Sequence, residues 1–98
     1  MLLVLPVHAG EAQGRETYVA KCLACHGEAG RGDGPAARAL PKPPRDFSSP
    51  AFWKATNDAQ SKRVIVTGLP GTIMRGFPMP DAQLDDLLAY LKGFARPE

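Results

Sequence analysis

Cys22-Leu23-Ala24-Cys25-His26 decides how this chain is read, because both cysteines of the protein fall inside those five residues. Two thiols one helical turn apart can each add to a vinyl group on the same porphyrin edge, and the following histidine then offers its imidazole to the iron. Cys and His each occur twice in 98 residues, so such a run arises by accident in about one chain in a thousand of this composition. The spacing reads as a c-type haem attachment site.

Two other chemistries use the same residue types. A C-x-x-C disulfide or thiol redox pair usually follows a strand in a βαβ unit, and no strand-like run precedes Cys22. A structural zinc site needs four ligands, and the remaining histidine is His8, in an apolar leading stretch. Haem is the stronger reading, with a thiol pair as its rival.

The rest of the composition agrees with a chain that folds around a staple. Ten Gly and ten Pro in 98 residues imply long loops and a small core, and chains of this size commonly need a disulfide, metal or cofactor to hold them. One domain is the limit. A net charge of +2 gives no electrostatic footprint for nucleic acid. Residues 38–75 nevertheless hold seven basic side chains (Arg38, Lys42, Arg45, Lys54, Lys62, Arg63, Arg75) against Asp46 and Asp58. That stretch is either a solvated face or a surface for acidic groups.

Residues 1–9 (MLLVLPVHA) carry no Asp, Glu, Lys or Arg and end in Val7-His8-Ala9, a small-x-small pattern of the kind signal peptidase cuts. We read 1–9 as the remnant of an export signal and 10–98 as the folded domain. A periplasmic or otherwise exported location follows, with a preceding segment as a conceivable membrane anchor.

Along the domain, Tyr18, Val19, Cys22 and Leu23 share a helical face, which predicts an amphipathic helix over 14–24. From Gly27 to Pro50 the density of Gly and Pro predicts a loop, with a turn of helix at Ala36–Leu40. A structureless connection this long usually wraps something. Asp58 could cap a helix through Val66, although Val64, Ile65 and Val66 also suit a strand. The last segment is clearest: Asp81 as cap, then Leu84, Leu87, Leu88 and Leu91 at helical spacing.

A haem iron held by one histidine has a sixth position, and methionine there raises the potential and excludes added ligands. No histidine follows His26, which leaves Met74 and Met79 as candidates. Either could instead fill core space. Met74 ends the loop-like run Gly68-Leu-Pro-Gly-Thr-Ile-Met74, able to place a side chain opposite the first helix, so it is preferred.

From Gly14 to Phe94 the chain resembles the small bacterial class I c-type cytochromes. Gly14, Tyr18 and Cys22 at intervals of four, then the haem motif, match the family's first helix. Gly34-Pro35 looks like the family's Gly-Pro, whose proline carbonyl accepts a hydrogen bond from the proximal imidazole; this would orient His26. Gly71-Thr72-Ile73-Met74 looks like the axial methionine loop. Leu87 and Tyr90 would then cross the first helix, with Gly14 permitting close approach. The family usually has Pro after its axial Met, whereas Arg75 follows Met74 and Pro80 follows Met79. The Pro-rich insert before Asp46-Phe47 is closer to cytochrome units of larger oxidoreductases than to the shortest free carriers.

The resemblance implies an all-α cytochrome c fold, three to four short helices and long loops wrapped around one covalent haem c. The implied site comprises Cys22 and Cys25 as attachment points, His26 and Met74 as iron ligands, and Pro35 behind His26. Arg45 and Trp53, together with Arg75, are candidate donors to the haem propionates. Phe47, Phe52, Ile65, Leu69, Ile73, Phe77, Leu84 and Leu88 are candidate pocket residues. Such a protein would shuttle single electrons between redox protein partners or serve as the cytochrome subunit of a larger oxidoreductase, without a small-molecule substrate of its own. A haem sensor with a labile sixth ligand is the alternative.

Overall fold

Gly14 lies where two helices cross, and its missing side chain is what allows them to touch. A Cβ there would fall 2.1 Å from the Asp86 carbonyl oxygen and 2.9 Å from the Tyr90 Cβ, well inside van der Waals contact. The computed structural model describes residues 10–95; the leading stretch with His8, and Arg96 near the other end, lie outside them. The two crossing helices are α1 (Glu11–Lys21) and α5 (Asp81–Gly93). Between them the chain forms α2 (Leu23–His26), a 3₁₀ helix (Pro35–Ala39), α3 (Pro50–Ala55) and α4 (Asp58–Thr67).

The core is the seam of this crossing. Leu84, Leu87, Leu88 and Leu91 of α5 are buried with Tyr18 of α1 and Ile65 of α4, each apolar side chain contributing about 1.5–3 kcal/mol by leaving water. Tyr18 packs on Tyr90 and Phe94 with ring centroids 5.4 and 5.2 Å away. Gln83 Nε2 adds a hydrogen bond to Thr17 Oγ1 across the same seam, 3.2 Å. Lys62 of α4 reaches Asp81 and Asp85, and Lys92 reaches Asp58, which ties α4 to both ends of α5.

Several local expectations shift. The first helix starts at Glu11 and breaks at Cys22, whose φ of −118° and ψ of −31° separate α1 from α2. Asn57, not Asp58, caps α4, its Oδ1 accepting from Gln60 N at 2.9 Å, while Asp58 serves Lys92. Pro80 occupies the cap position of α5 and makes no side-chain cap bond, so Asp81 is its first helical residue. Five α-helices and one 3₁₀ turn among the described residues exceed the expected three to four. The additional ones are α2, set off by the break at Cys22, and α3, where Pro50 starts a helix instead of ending a loop, with Ser49 Oγ accepting from Phe52 N.

Candidate functional site

The break at Cys22 presents the motif. Backbone amides of Cys25 and His26 both donate to the Cys22 carbonyl, at 3.3 and 2.9 Å, and Gly27 N donates to Leu23 O at 2.9 Å. The motif is therefore a single helical turn set off from α1, with both cysteines half-buried and unbridged. Burial pushes the Cys22 thiol up to about 11, with Cys25 adding to the rise and Lys21 opposing it. From α1, Tyr18 donates its hydroxyl to the Gly27 carbonyl at 2.5 Å, fixing where the turn ends. That hydroxyl is itself held well above the usual tyrosine range, first by burial and then by Cys22, Tyr90 and Asp33 nearby.

Behind the motif the loop folds back closely. Gly34 N donates to Cys25 O at 3.0 Å, and a Cβ on Gly34 would fall 2.3 Å from the Ala24 carbonyl oxygen. Pro35 follows at the head of the 3₁₀ helix. The imidazole, however, turns elsewhere: His26 Nδ1 faces the carbonyl of Arg45, 3.4 Å away, rather than that of Pro35. A carbonyl only accepts, so Nδ1 carries the proton and Nε2 is left with its lone pair. Burial also lowers the His26 pKa, against the Arg45 bond that raises it, which favours the neutral ring a metal needs. Phe47 lies against the same ring, centroids 4.4 Å apart and planes 18° from parallel.

The expected propionate donors sit in different settings. The Trp53 Nε1 proton goes to the Phe47 carbonyl at 2.8 Å, so its one donor is engaged within the protein. Arg45 acts through its backbone, while its side chain is exposed. The Arg75 guanidinium lies over the Phe77 ring, 5.3 Å from its centroid. Ile73, expected in the pocket, is 67% exposed. Phe47, Phe52, Leu69 and Phe77 are half-buried, whereas Ile65, Leu84 and Leu88 are fully buried.

The two methionines differ in setting. Met79 packs against the buried cluster of Tyr18, Ile65, Leu84, Leu87 and Leu91. Met74 closes a turn: its carbonyl accepts from Leu69 N at 3.1 Å and its amide donates to Thr72 Oγ1 at 3.1 Å. An antiparallel bridge between Gly68 and Arg75 pins the base of that turn. Its side chain is half-buried without belonging to the apolar cluster.

The donor set fits a covalent haem. Two unbridged thiols flank one turn, and the adjoining imidazole has its Nδ1 engaged and its Nε2 available. Residues 11–95, nearly the whole domain, match the family described as cytochrome c. The chain belongs to that family. It is 39% identical over 93 residues to dihydro-heme d1 dehydrogenase of Pseudomonas aeruginosa, covering 93% of this chain and 17% of that protein. It also resembles a chain of the Kuenenia stuttgartiensis reducing HAO-like protein complex, at 28% identity and a TM-score of 0.79, covering 97% of this cytochrome and 48% of that chain. The cytochrome thus spans about a sixth and about half of these two relatives.

The cytochrome transfers electrons through a single covalently attached haem c, and Cys22-Leu-Ala-Cys-His26 is its attachment motif. Sequence reasoning missed the Arg45 carbonyl beside His26, and it named Phe47 as a pocket residue without its stacking on that ring. A backbone acceptor leaves no trace in side-chain patterns, and Phe47 follows a proline run that has no periodicity to mark a buried face. Among the described residues no helix is long and apolar enough to cross a membrane.

Proposed function

We propose that this cytochrome is the electron-carrying unit of a larger oxidoreductase, with Cys22 and Cys25 holding the haem and His26 and Met74 as the two iron ligands. The observation that carries the ligand reading is the division of labour between the methionines. Met79 already fills space against the core, whereas Met74 is held half-buried at the end of a turn with no core partner. The resemblance to one segment of each of two larger redox proteins supports the placement in an assembly with redox proteins as partners.

Bound there, the haem supplies a one-electron iron couple. The chain's own residues would do the rest: the Arg45 carbonyl orients His26, and Met74 would offer its thioether sulfur to the iron and so exclude outside ligands. Half-buried Phe47, Leu69 and Phe77 would restrict water, which bears on the potential. Electrons then pass without substrate entering the site, through a small and transient contact with the partner. The apolar residues 1–9 support export to the periplasm, with 10–98 as the cytochrome domain.

The test is the visible spectrum of the reduced holoprotein before and after carbon monoxide, for the unaltered chain, Met74→Ala and Met79→Ala. Sharp c-type bands that ignore carbon monoxide in the unaltered chain and in Met79→Ala, but shift in Met74→Ala, are expected. A shift confined to Met79→Ala would move the ligand to Met79. A shift in the unaltered chain would make the protein a gas-binding module instead.

A further inference from the structure

His26 has less to hold it than a metal-bound imidazole usually does. Its Nδ1 bond to Arg45 is long at 3.4 Å, and the torsion that turns an imidazole about its Cβ–Cγ bond is broad. One long hydrogen bond limits that rotation weakly. Phe47 supplies a second restraint, because a ring stacked 4.4 Å away and 18° from parallel blocks rotation of the imidazole plane.

Phe47 is itself fixed at both ends of its peptide unit. Its amide donates to Gly30 O at 2.7 Å, and its carbonyl accepts from Trp53 Nε1 at 2.8 Å. Trp53 in turn packs against the buried cluster. A continuous path therefore runs from the core through Trp53 to Phe47 and so to the His26 ring. Phe52 borders the same aromatic group, with centroids 5.8 Å from Phe47 and 4.9 Å from Trp53, and no ring contact joins it to His26.

We propose that Phe47, locked by Trp53, is a positioning residue that sets the plane of the His26 imidazole and through it the potential of the iron. This rests on His26 being the proximal ligand. A ring held in one orientation presents its Nε2 lone pair along one axis, and groups behind a ligand tune both its basicity and the metal's potential. Trp53 acts at one remove, since deleting its N–H frees the Phe47 carbonyl without emptying the core.

The experiment uses holoproteins carrying Phe47→Leu, Trp53→Phe and Phe52→Leu, read by low-temperature electron paramagnetic resonance of the oxidised form and by redox equilibrium against a reference dye. Phe47→Leu is expected to broaden or split the low-spin signal and to move the redox equilibrium by about threefold, equivalent to about 28 mV at 59 mV per tenfold for one electron. Trp53→Phe should move both readouts in the same direction by less, and Phe52→Leu should leave both unchanged. If Phe47→Leu does not accumulate, Trp53→Phe decides alone. Unchanged signal and equilibrium in the variants that retain imidazole-ligated haem overturn the proposal, as does an equal change in Phe52→Leu. Absence of imidazole ligation in the unaltered protein would instead end the proximal-ligand reading itself.

Discussion

The α1–α5 crossing and the haem-facing loops are held by different forces. At the crossing, side chains do the work: Leu87 is fully excluded from water, Tyr18 is 1% exposed, and a glycine brings the backbones into contact. Around the motif, most fixed points are backbone groups: Gly34 N on Cys25 O, Gly32 N on His26 O, Phe47 N on Gly30 O and Leu69 N on Met74 O. The apolar side chains on that side stay half-buried. One region is a finished core, and the other is a frame held mainly by its backbone, with its apolar side chains only half-covered.

The most severe way to break the finished half is Leu87→Ala, which leaves a cavity where α5 meets α1. A loss of about 2–5 kcal/mol is expected, read as a lower denaturation midpoint with an unchanged attachment motif. An equally large loss of haem incorporation without a stability change would reverse the roles of the two halves.

Tyr18→Phe cuts the link between the halves, and should cost about 1–3 kcal/mol because the Gly27 carbonyl loses its donor. The folded hydroxyl keeps its proton to higher pH than an unfolded tyrosine, so its contribution is complete below about pH 10 and declines as pH rises through the folded value. Alkaline unfolding curves of the two proteins should therefore converge above about pH 10. Parallel curves would mean that this hydroxyl does not link the halves.

A gentler probe asks whether the crossing stands without the cofactor. In the haem-free chain, Cys22 should alkylate slowly at pH 8 and accelerate about tenfold per pH unit toward its value of about 11. A rate matching an unstructured peptide would show that the frame needs the haem before α1 closes on α5.

The smallest effect belongs to Lys62. Its carboxylate partners Asp85 and Asp81 raise its pKa, so this clasp is complete below about pH 10.4 and is lost as pH rises through the folded value. Lys62→Met should lower Tm slightly at low salt and hardly at all in 1 M salt. A drop that persists in salt would assign Lys62 a packing role instead.

The same contrast explains what could be read from the sequence. Helix α5 was legible because leucines at helical spacing with acids ahead of a lysine are side-chain signals, and those decide that half of the fold. The haem motif was legible because its chemistry resides in adjacent side chains. Helix α3 was hidden by Pro50, which reads as a loop residue unless the Ser49 cap is recognised. The partner of His26 could not be seen at all, because every residue offers a carbonyl and only the path of the Pro-rich loop selects Arg45. Trp53 and Ile73 are marked by residue type alone: a donor and a branched apolar side chain suit a haem pocket, and the fold engages the one with the Phe47 carbonyl and leaves the other exposed.

Joining residues 14–18 to residues 86–94 also imposes an order of events on the growing chain. A polypeptide emerging from its N-terminus exposes both cysteines before α5 exists, and the buried cluster against which Cys22 packs is completed only when that last helix arrives. Until then its thiol ionises like that of any unstructured peptide; afterwards burial suppresses it. The closing helix thus completes the burial that suppresses this thiol, so a thiol reagent should reach Cys22 more readily before the seam closes than after.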